Sequence, residues 1–405
     1  MKKGRVKPME RLSSGYRWTI WACYGGYIVQ AVVNNISPLL FVLYQTRLGL
    51  SLGSISLLIA ANFGFQIITD LLAVRYADRL GYRRCMVLAH LCAAAGLVGI
   101  GLLTPLSSRP LLVLLLSTLL NAVGGGLLEV LVSPIVEAVP SKEKDKAMSL
   151  LHSFYCWGCV AFILLTTLGL RLAGEENWGL IPCFWALLPL VNGFVFTKVP
   201  IGRLVAEGEE LPLKKLSSMK MFWLLAAVMV CAGAAEQSMS QWASYFAETA
   251  LGVDKTMGDL LGPCAFAVLM GGARAFYGAS GERLRLIPAL MCSGGLCVVS
   301  YLLAVFAPHP LIGLLGCALC GLSVALMWPG AISLSAAACP AGGTAMFALL
   351  ALAGDLGCFT GPQLVGLAAE LSPEMGLRAG LLAAVVFPGL LMAVVGSISR
   401  GKKIP

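Results

Sequence analysis

The sequence predicts an all-α membrane protein, with twelve transmembrane helices arranged as two six-helix halves. Three observations carry that prediction. About twelve apolar stretches, each long enough to cross a bilayer, fill a chain of 405 residues of which 58% are hydrophobic and 12% charged; the mean hydropathy is +0.85. The loops between them alternate between basic and nearly uncharged. A polar stretch at 198–218 divides the spans six and six. A water-soluble core this apolar would leave too little polar surface to cover it. In hydrocarbon each backbone N–H and C=O must be satisfied within its own segment, so the spans are helices.

In order, the spans are expected at 18–44, 52–76, 84–105, 111–138, 147–171, 178–197, 219–247, 257–277, 286–307, 310–338, 343–369 and 377–397. The first is too long for the apolar core of a signal peptide, carries Asn34 and Asn35, and lacks a small-residue cleavage site. The expected domains are an N-terminal bundle at 1–197, a cytoplasmic linker at 198–218 and a C-terminal bundle at 219–405. The linker is the longest polar stretch, so no soluble domain is expected.

Lys and Arg set the orientation. One side collects Lys2, Lys3, Arg5, Lys7, Arg11, Arg17, Arg75, Arg79, Arg83, Arg84, Lys142, Lys144 and Lys146. It also collects Lys198, Arg203, Lys214, Lys215, Lys220, Arg274, Arg283, Arg285, Arg400, Lys402 and Lys403. The other side has Arg47, Arg109, Arg171, Lys255 and Arg378, a split of 24 to 5. Both termini are therefore expected in the cytoplasm, in a multi-pass protein of the cell (plasma or inner) membrane. The net charge of +9 is a topology signal with anionic membrane lipids as neighbours, and does not point to nucleic acid.

Fourteen cysteines lie mostly inside spans, where Cys behaves as a small apolar residue. Cys156/Cys159 and Cys317/Cys320 are C-x-x-C pairs, and His152 stands one turn before Cys156. Thiolates at membrane depth and the lack of a fourth ligand favour helix packing over a metal site. No P-loop, G-x-S-x-G or H-E-x-x-H motif occurs, so ATP-driven transport and these enzyme chemistries have no support. No cofactor is expected.

The two halves echo each other. The loop after span 2 reads Asp78-Arg79-Leu80-Gly81-Tyr82-Arg83-Arg84, and the loop after span 8 carries Glu282-Arg283-Leu284-Arg285, an acidic–Arg pair 204 positions later. Spans 4 and 10 both end in proline, Pro140 and Pro340. Parallel six-helix repeats place a binding site between the halves near the midplane. The first of these loops resembles the signature loop between helices 2 and 3 of the major facilitator superfamily, with Val74 where that loop usually begins with Gly. Gly81 allows the tight turn, Asp78 can cap a helix or pair with Arg, and the Arg cluster anchors the loop at the headgroups. The resemblance covers the whole chain and implies that family's fold and alternating access. It marks Arg75, Asp78, Arg79, Gly81, Arg83, Arg84, Glu282 and Arg283 as a gating loop, which Asp70, near its start, is expected to join.

A narrower resemblance lies in span 4. Gly124-Gly-Gly-Leu-Leu-Glu129-Val-Leu-Val-Ser133-Pro134 looks like the G-x-G-x-x-E-x-x-x-N-P stretch of the fucose permease branch, whose Glu is a proton carrier. Val33-Asn34-Asn35-Ile36-Ser37-Pro38 in span 1 resembles the branch's A-N-N-L-N-D, but Pro38 stands where the permease has a second proton-linked Asp. His152 and Tyr155 stand where that permease has Gln and Asn, so the resemblance does not imply fucose itself as substrate.

An ionisable group in a span needs a partner or a water-filled cavity. Asn121, Gly125, Glu129, Ser133 and Glu137 follow at four-residue spacing along one face of span 4. Glu129 is about 16 Å from the Pro140 end, near the midplane, and Asp355 in span 11 is about 18 Å in. No Lys or Arg is expected at the depth of Glu129, so it reads as a titrating group. Asp355 is either a second proton site or a partner for Asn62 and Gln66, which stand four residues apart in span 2. Glu236, about 22 Å from its cytoplasmic end, opens the polar run Glu236-Gln237-Ser-Met-Ser240-Gln241-Trp242 of span 7. Gln237 and Gln241 suit hydrogen bonding to a polar solute, whereas Trp242 reads equally as an interfacial anchor. Trp328 is either lining or packing beside a kink at Pro329. His90 and Asn192 read as helix–helix hydrogen bonds.

These residues imply a secondary transporter of a small polar, carbohydrate-like solute, coupled to protons through Glu129, Asp355 and Glu236. The expected solute ligands are Asn34, Asn35, Asn62, Gln66, His152, Tyr155, Gln237, Gln241, Trp242 and Trp328. The chain is expected to act as a monomer. A drug or lipid exporter of the same fold and a non-transporting membrane receptor remain as alternatives. Reporter fusions after Gly202 and after Pro405 should both read cytoplasmic; an external reading at either position would sink this topology.

Overall fold

The computed structural model describes residues 14–139, 144–201, 216–280, 285–339 and 343–401. Among the described residues, twelve helical spans are long and apolar enough to cross a membrane. The first six are α1 (Gly15–Leu48), α2 (Leu52–Ala77), α3 (Tyr82–Leu106), α4 (Pro110–Glu137), α5 (Leu150–Ala173) and α6 (Leu180–Lys198). The second six are α7 (Lys220–Ser240), α8 (Lys255–Tyr277), α9 (Leu286–Phe306), α10 (Pro310–Ala338), α11 (Met346–Leu371) and α12 (Leu377–Arg400). Because the spans alternate in direction, the start of α1, the end of α6, the start of α7 and the end of α12 share one face, here termed the terminus face.

Local chemistry sets the helix ends. Ser51 caps α2 by accepting a hydrogen bond from the Ser54 backbone N–H at 3.2 Å. Gly81 takes φ +87° between α2 and α3, a conformation that a side chain would oppose. Arg83, in the same loop, donates to the carbonyls of Phe196, Thr197 and Val199 at 2.7–2.9 Å and so ties the start of α3 to the end of α6. Arg75, Arg79 and Arg84 are exposed. Glu282 and Arg283 lie outside the described residues, as do 202–215 of the linker.

Prolines open the helical ladder at two useful places. Pro38 cannot donate to the Asn34 carbonyl, which accepts instead from Gln241 Nε2 at 3.4 Å. Pro329 likewise frees the Ala325 carbonyl, where α10 is interrupted between Val324 and Met327; Arg274 Nε donates to it at 3.3 Å. Each opening is closed by a side chain from another helix, as hydrocarbon requires.

Between helices there is little hydrophobic driving force in lipid, so close contact rests on small residues. The seam of α7 and α11 illustrates this. Gly357 lies against the Val230 carbonyl and Gly361 against the Ala234 carbonyl, while Gly233 lies against the Gly354 carbonyl. In the first half, His90 and Asn192 share a hydrogen bond at 2.8 Å between α3 and α6.

The halves are tied together on the side away from the termini. Tyr245 Oη donates to Gln45 Oε1 at 2.7 Å, Gln363 Nε2 to the Ser56 carbonyl at 3.0 Å, and Thr167 Oγ1 to Asp259 Oδ2 at 3.2 Å. Asp259 is fully buried and also receives Ser244 Oγ at 2.5 Å and Lys255 Nζ at 3.2 Å. Lys255 reaches Glu248 as well, at 3.1 Å. Burial pushes the Glu248 carboxyl above its ordinary range, and Lys255 pulls it back down. Trp242, fully buried, packs on Phe41 of the first half with ring centroids 5.7 Å apart.

Gly357→Leu should force α7 and α11 apart and lower stability by about 1–3 kcal/mol, the usual cost of overpacking. At Gly295 an added Cβ meets nothing within 4 Å, so Gly295→Ala should be neutral or stabilising. Thermal unfolding in detergent checks both; equal effects would refute the seam.

Candidate functional site

A cavity of about 510 Å³ lies between the halves, within the range of small-molecule sites. Its walls come from α1 (Tyr27, Gln30, Asn34), α2 (Gln66), α4 (Glu129) and α5 (His152, Tyr155) on one side. On the other side stand α7 (Glu236, Gln237), α8 (Arg274, Tyr277), α10 (Trp328) and α11 (Asp355). Asn34 and Gln237 at the closed end are buried, Glu129 and Tyr155 are half-buried, and His152 is exposed. Exposure therefore rises toward the terminus face, and the cavity opens there.

Glu129 is held by amides. Gln30 Nε2 donates to its Oε2 at 2.7 Å and Gln66 Nε2 at 2.5 Å. One turn along α4, Ser133 shares a hydrogen bond with Tyr27 at 2.9 Å, and Tyr27 packs against His152, centroids 5.6 Å apart. Among the described residues no Lys or Arg pairs with Glu129.

Arg274 corrects the expectation that it belongs to a basic loop. It lies within α8 on the cavity wall, 18% exposed at the side chain, and forms an ion pair with Glu236 at 3.2 Å. Its other contacts are the Ala325 carbonyl and, across the halves, Cys156 Sγ at 3.5 Å. Glu236 is thus balanced by a guanidinium, which departs from its expected role as a proton carrier.

Asp70 departs further. Expected beside Arg75 in the gating loop, it is instead 5% exposed, and its carboxyl, without a hydrogen-bond partner, faces Asp355 between α2 and α11. One residue's depth along the helix was legible, but the facing helix was not.

The remaining expected ligands divide. Asn34, Gln66, His152, Tyr155, Gln237 and Trp328 line the cavity. Asn62 and Gln241 line a separate small pocket with Asn34. Asn35 turns toward the Ala31 carbonyl and Cys159 Sγ and borders another small pocket. Trp242 is neither an interfacial anchor nor a ligand, because packing between the halves buries it completely. Sequence reasoning missed Tyr27, Gln30 and Arg274. Gln30 stands one turn before Asn34, so a polar face along α1 was the available signal. The cysteine sulfurs are free thiols.

The sequence matches the Major Facilitator Superfamily over residues 23–362, and the chain belongs to that family. No curated protein sequence matches it. Among solved structures, a bacterial homologue of the human lysosomal transporter Spinster, in an inward-facing and occupied conformation, superposes with TM-score 0.75. The alignment has 14% identity and covers 96% of this chain and 97% of that one. The same homologue, inward-facing and unoccupied, gives TM-score 0.73 at 16% identity over 96% and 98% of the two chains. The E. coli fucose:proton symporter gives TM-score 0.66 at 14% identity, covering 95% and 99%. These likenesses show the fold. With the family, they make the protein a multi-pass membrane transporter of small-molecule solutes and not an enzyme.

Removing one partner of a buried ion pair typically costs about 3–5 kcal/mol. Arg274→Gln should therefore lower the unfolding temperature strongly, and adding Glu236→Gln should recover much of the loss. A double-mutant cycle in detergent measures this; simple additivity would mean that the pair is not coupled.

Proposed function

We propose that this protein is a proton-coupled secondary transporter of a small polar solute, with Glu129 as the principal coupling site. The observation that carries the reading is the setting of Glu129: a carboxyl on the cavity wall, held by two glutamine amides and, among the described residues, by no Lys or Arg. A carboxylate in that position keeps its charge while the cavity is wet. When the halves close and water leaves, a proton neutralises it at lower cost than burying the charge. The proton is then carried with the solute. That the fold is shared with a fucose:proton symporter supports the coupling ion.

The Asp70–Asp355 pair is the second place for a proton. Two carboxylates this close repel, and one proton between them replaces repulsion with a hydrogen bond. Gln30, Asn34, Gln237 and His152 supply hydrogen-bonding groups for the solute, with Tyr155, Tyr277 and Trp328 as flat apolar faces. This mixture suits a polyhydroxylated molecule, and the family relationship adds nothing about which one. The basic asymmetry makes the terminus face cytoplasmic, so the open cavity corresponds to an inward-facing state of a protein in the cell membrane. The two bundles at 1–197 and 219–405, joined by the linker at 198–218, are the rigid bodies of the cycle.

One observation favours a second reading. An apolar groove of about 560 Å³, lined by Ile67, Phe222, Trp223, Leu349, Leu352 and Leu356, flanks the cavity on the terminus side between α2, α7 and α11. A solute with an apolar tail could enter by that route. Thermal-shift screening against sugars and against amphiphiles separates the readings by which class stabilises the protein.

Glu129→Gln mimics the protonated form. In proteoliposomes it should exchange solute across the membrane yet fail to concentrate it under an imposed pH difference. The parent can reach about tenfold accumulation per pH unit for one proton. Equal accumulation by the variant would make Glu129 structural.

A further inference from the structure

Beyond the closed end of the central cavity, α1, α2 and α4 enclose a second cavity of about 10 Å³, room for one water-sized particle. Asn34, Ser37, Asn62, Thr118, Asn121 and Gln241 line it among apolar side chains. Asn34 Oδ1, Asn62 Oδ1 and Thr118 Oγ1 have no protein partner, and these residues are 7%, 7% and 4% exposed. Gln66 Oε1 is unpartnered too, in a side chain 2% exposed. Its orientation follows from its Nε2, which donates to Glu129. Gly125 leaves the space where Asn34 Oδ1 and Gln66 Oε1 come together: a Cβ there would stand 3.3 and 3.6 Å from them. The Asn34 carbonyl, freed by Pro38, adds an acceptor whose one contact, from Gln241, is long at 3.4 Å. Asn121 Oδ1 turns away, toward Gly96 of α3.

We propose that this cluster binds a monovalent cation, Na⁺, through amide and hydroxyl oxygens of α1, α2 and α4. Each buried acceptor without a partner costs about 1–3 kcal/mol, and the amide oxygens of Asn34, Asn62 and Gln66 cannot satisfy one another. A small cation satisfies several at once. The ligands are all neutral oxygens, a set that suits a hard monovalent ion, whereas a divalent ion would call for carboxylates in contact. A main-chain carbonyl freed from its helical donor, here that of Asn34 within the otherwise continuous α1, is the kind of backbone acceptor with which transporters hold Na⁺. The surrounding field has the right sign. Glu129, Asp70, Asp355 and Glu236 face this region from α4, α2, α11 and α7, and among the described residues Arg274 of α8 is the one Lys or Arg lining the cavity. His152 of α5 is the remaining titratable base there and stands at the open end.

Gln66 links this site to Glu129. Its amide donates to the carboxylate at 2.5 Å while its oxygen faces the cluster. A cation on that oxygen polarises the amide and strengthens its donation, so bound Na⁺ and ionised Glu129 favour each other. The site itself does not rest on Glu129 carrying the transported proton.

The test uses the purified full chain in detergent at constant pH and ionic strength, with choline replaced stepwise by Na⁺ or K⁺, and reads the unfolding temperature. A saturable rise with Na⁺, and a weaker one with K⁺, is expected. In Asn62→Leu and in the nearly isosteric Thr118→Val, the half-saturating Na⁺ should increase at least about tenfold, the cost typical of disturbing even the groups that orient metal ligands. Glu129→Gln should keep a saturable Na⁺ response, which separates this site from the coupling reading. Equal responses to Na⁺, K⁺ and choline in the parent would overturn the proposal and leave water as the occupant. An unchanged half-saturation in Thr118→Val would overturn it as well, whether or not Asn62→Leu folds.

Discussion

Charge balance at the cavity is the constraint on which the rest of this structure depends. Four carboxyls, of Glu129, Asp70, Asp355 and Glu236, converge near the centre of the membrane, and among the described residues one guanidinium answers them. Arg274 takes Glu236. The other three are left to amides, to each other and to mobile positive charge. A soluble protein could leave such groups to water; here closure of the cavity removes the water and the imbalance must be met by an ion. On the reading proposed above, alternating access is conditional on protonation or on a bound cation, and the same electrostatics that would destabilise a rigid membrane protein supplies the coupling.

The prolines show how the fold prepares these positions. A helix that spans hydrocarbon unbroken has no backbone acceptor to spare. Pro38 and Pro329 each remove one donor and leave a carbonyl exposed at the depth of the cavity. Gln241 and Arg274, from other helices, close the two openings. Arg274 thus has its place set by Ala325 on one side and Glu236 on the other, which lets a flexible side chain act as a fixed charge. Cys156 lies across the halves from it at 3.5 Å, so this fixed charge also touches the boundary that must shear during transport.

Depth was legible in the sequence and direction was not. The rise of a helix locates Glu129 and Asp355 near the midplane from counting alone, and the apolar runs define twelve spans whose ends agree with the structure to within a few residues, except that α7 ends near Ser240, before a turn and the short helix Ala243–Thr249. Which way a residue faces depends on a polar stripe, and spans that are apolar nearly all round carry little of one. Asp70 therefore read as a loop residue, though it faces Asp355 on a helix 285 positions away. Trp242 read as an interfacial ring because the sequence does not reveal that Phe41 and Tyr245 cover it. Arg274 was assigned to the loop by proximity to the end of its span, where basic residues are ordinarily found.

The arrangement of contacts between the halves then sets what each state must break. On the far side, the bonds of Gln45 with Tyr245, Ser56 with Gln363 and Thr167 with Asp259 span 2.7–3.2 Å, and each joins one half to the other. Opening that side requires all of them to part, and Asp259 would then keep only Ser244 and Lys255. Because those two partners belong to its own half, the carboxylate stays paired after separation. The seal is therefore reversible: it gives up one neutral hydroxyl contact at Asp259 and leaves the ion pair intact. A gate built on an ion pair across the halves would have to strand a buried charge at each opening, at several times the cost. The far side, where none of these three cross-links is an ion pair between the halves, can open cheaply. The cavity side, where the charges lie, carries the control.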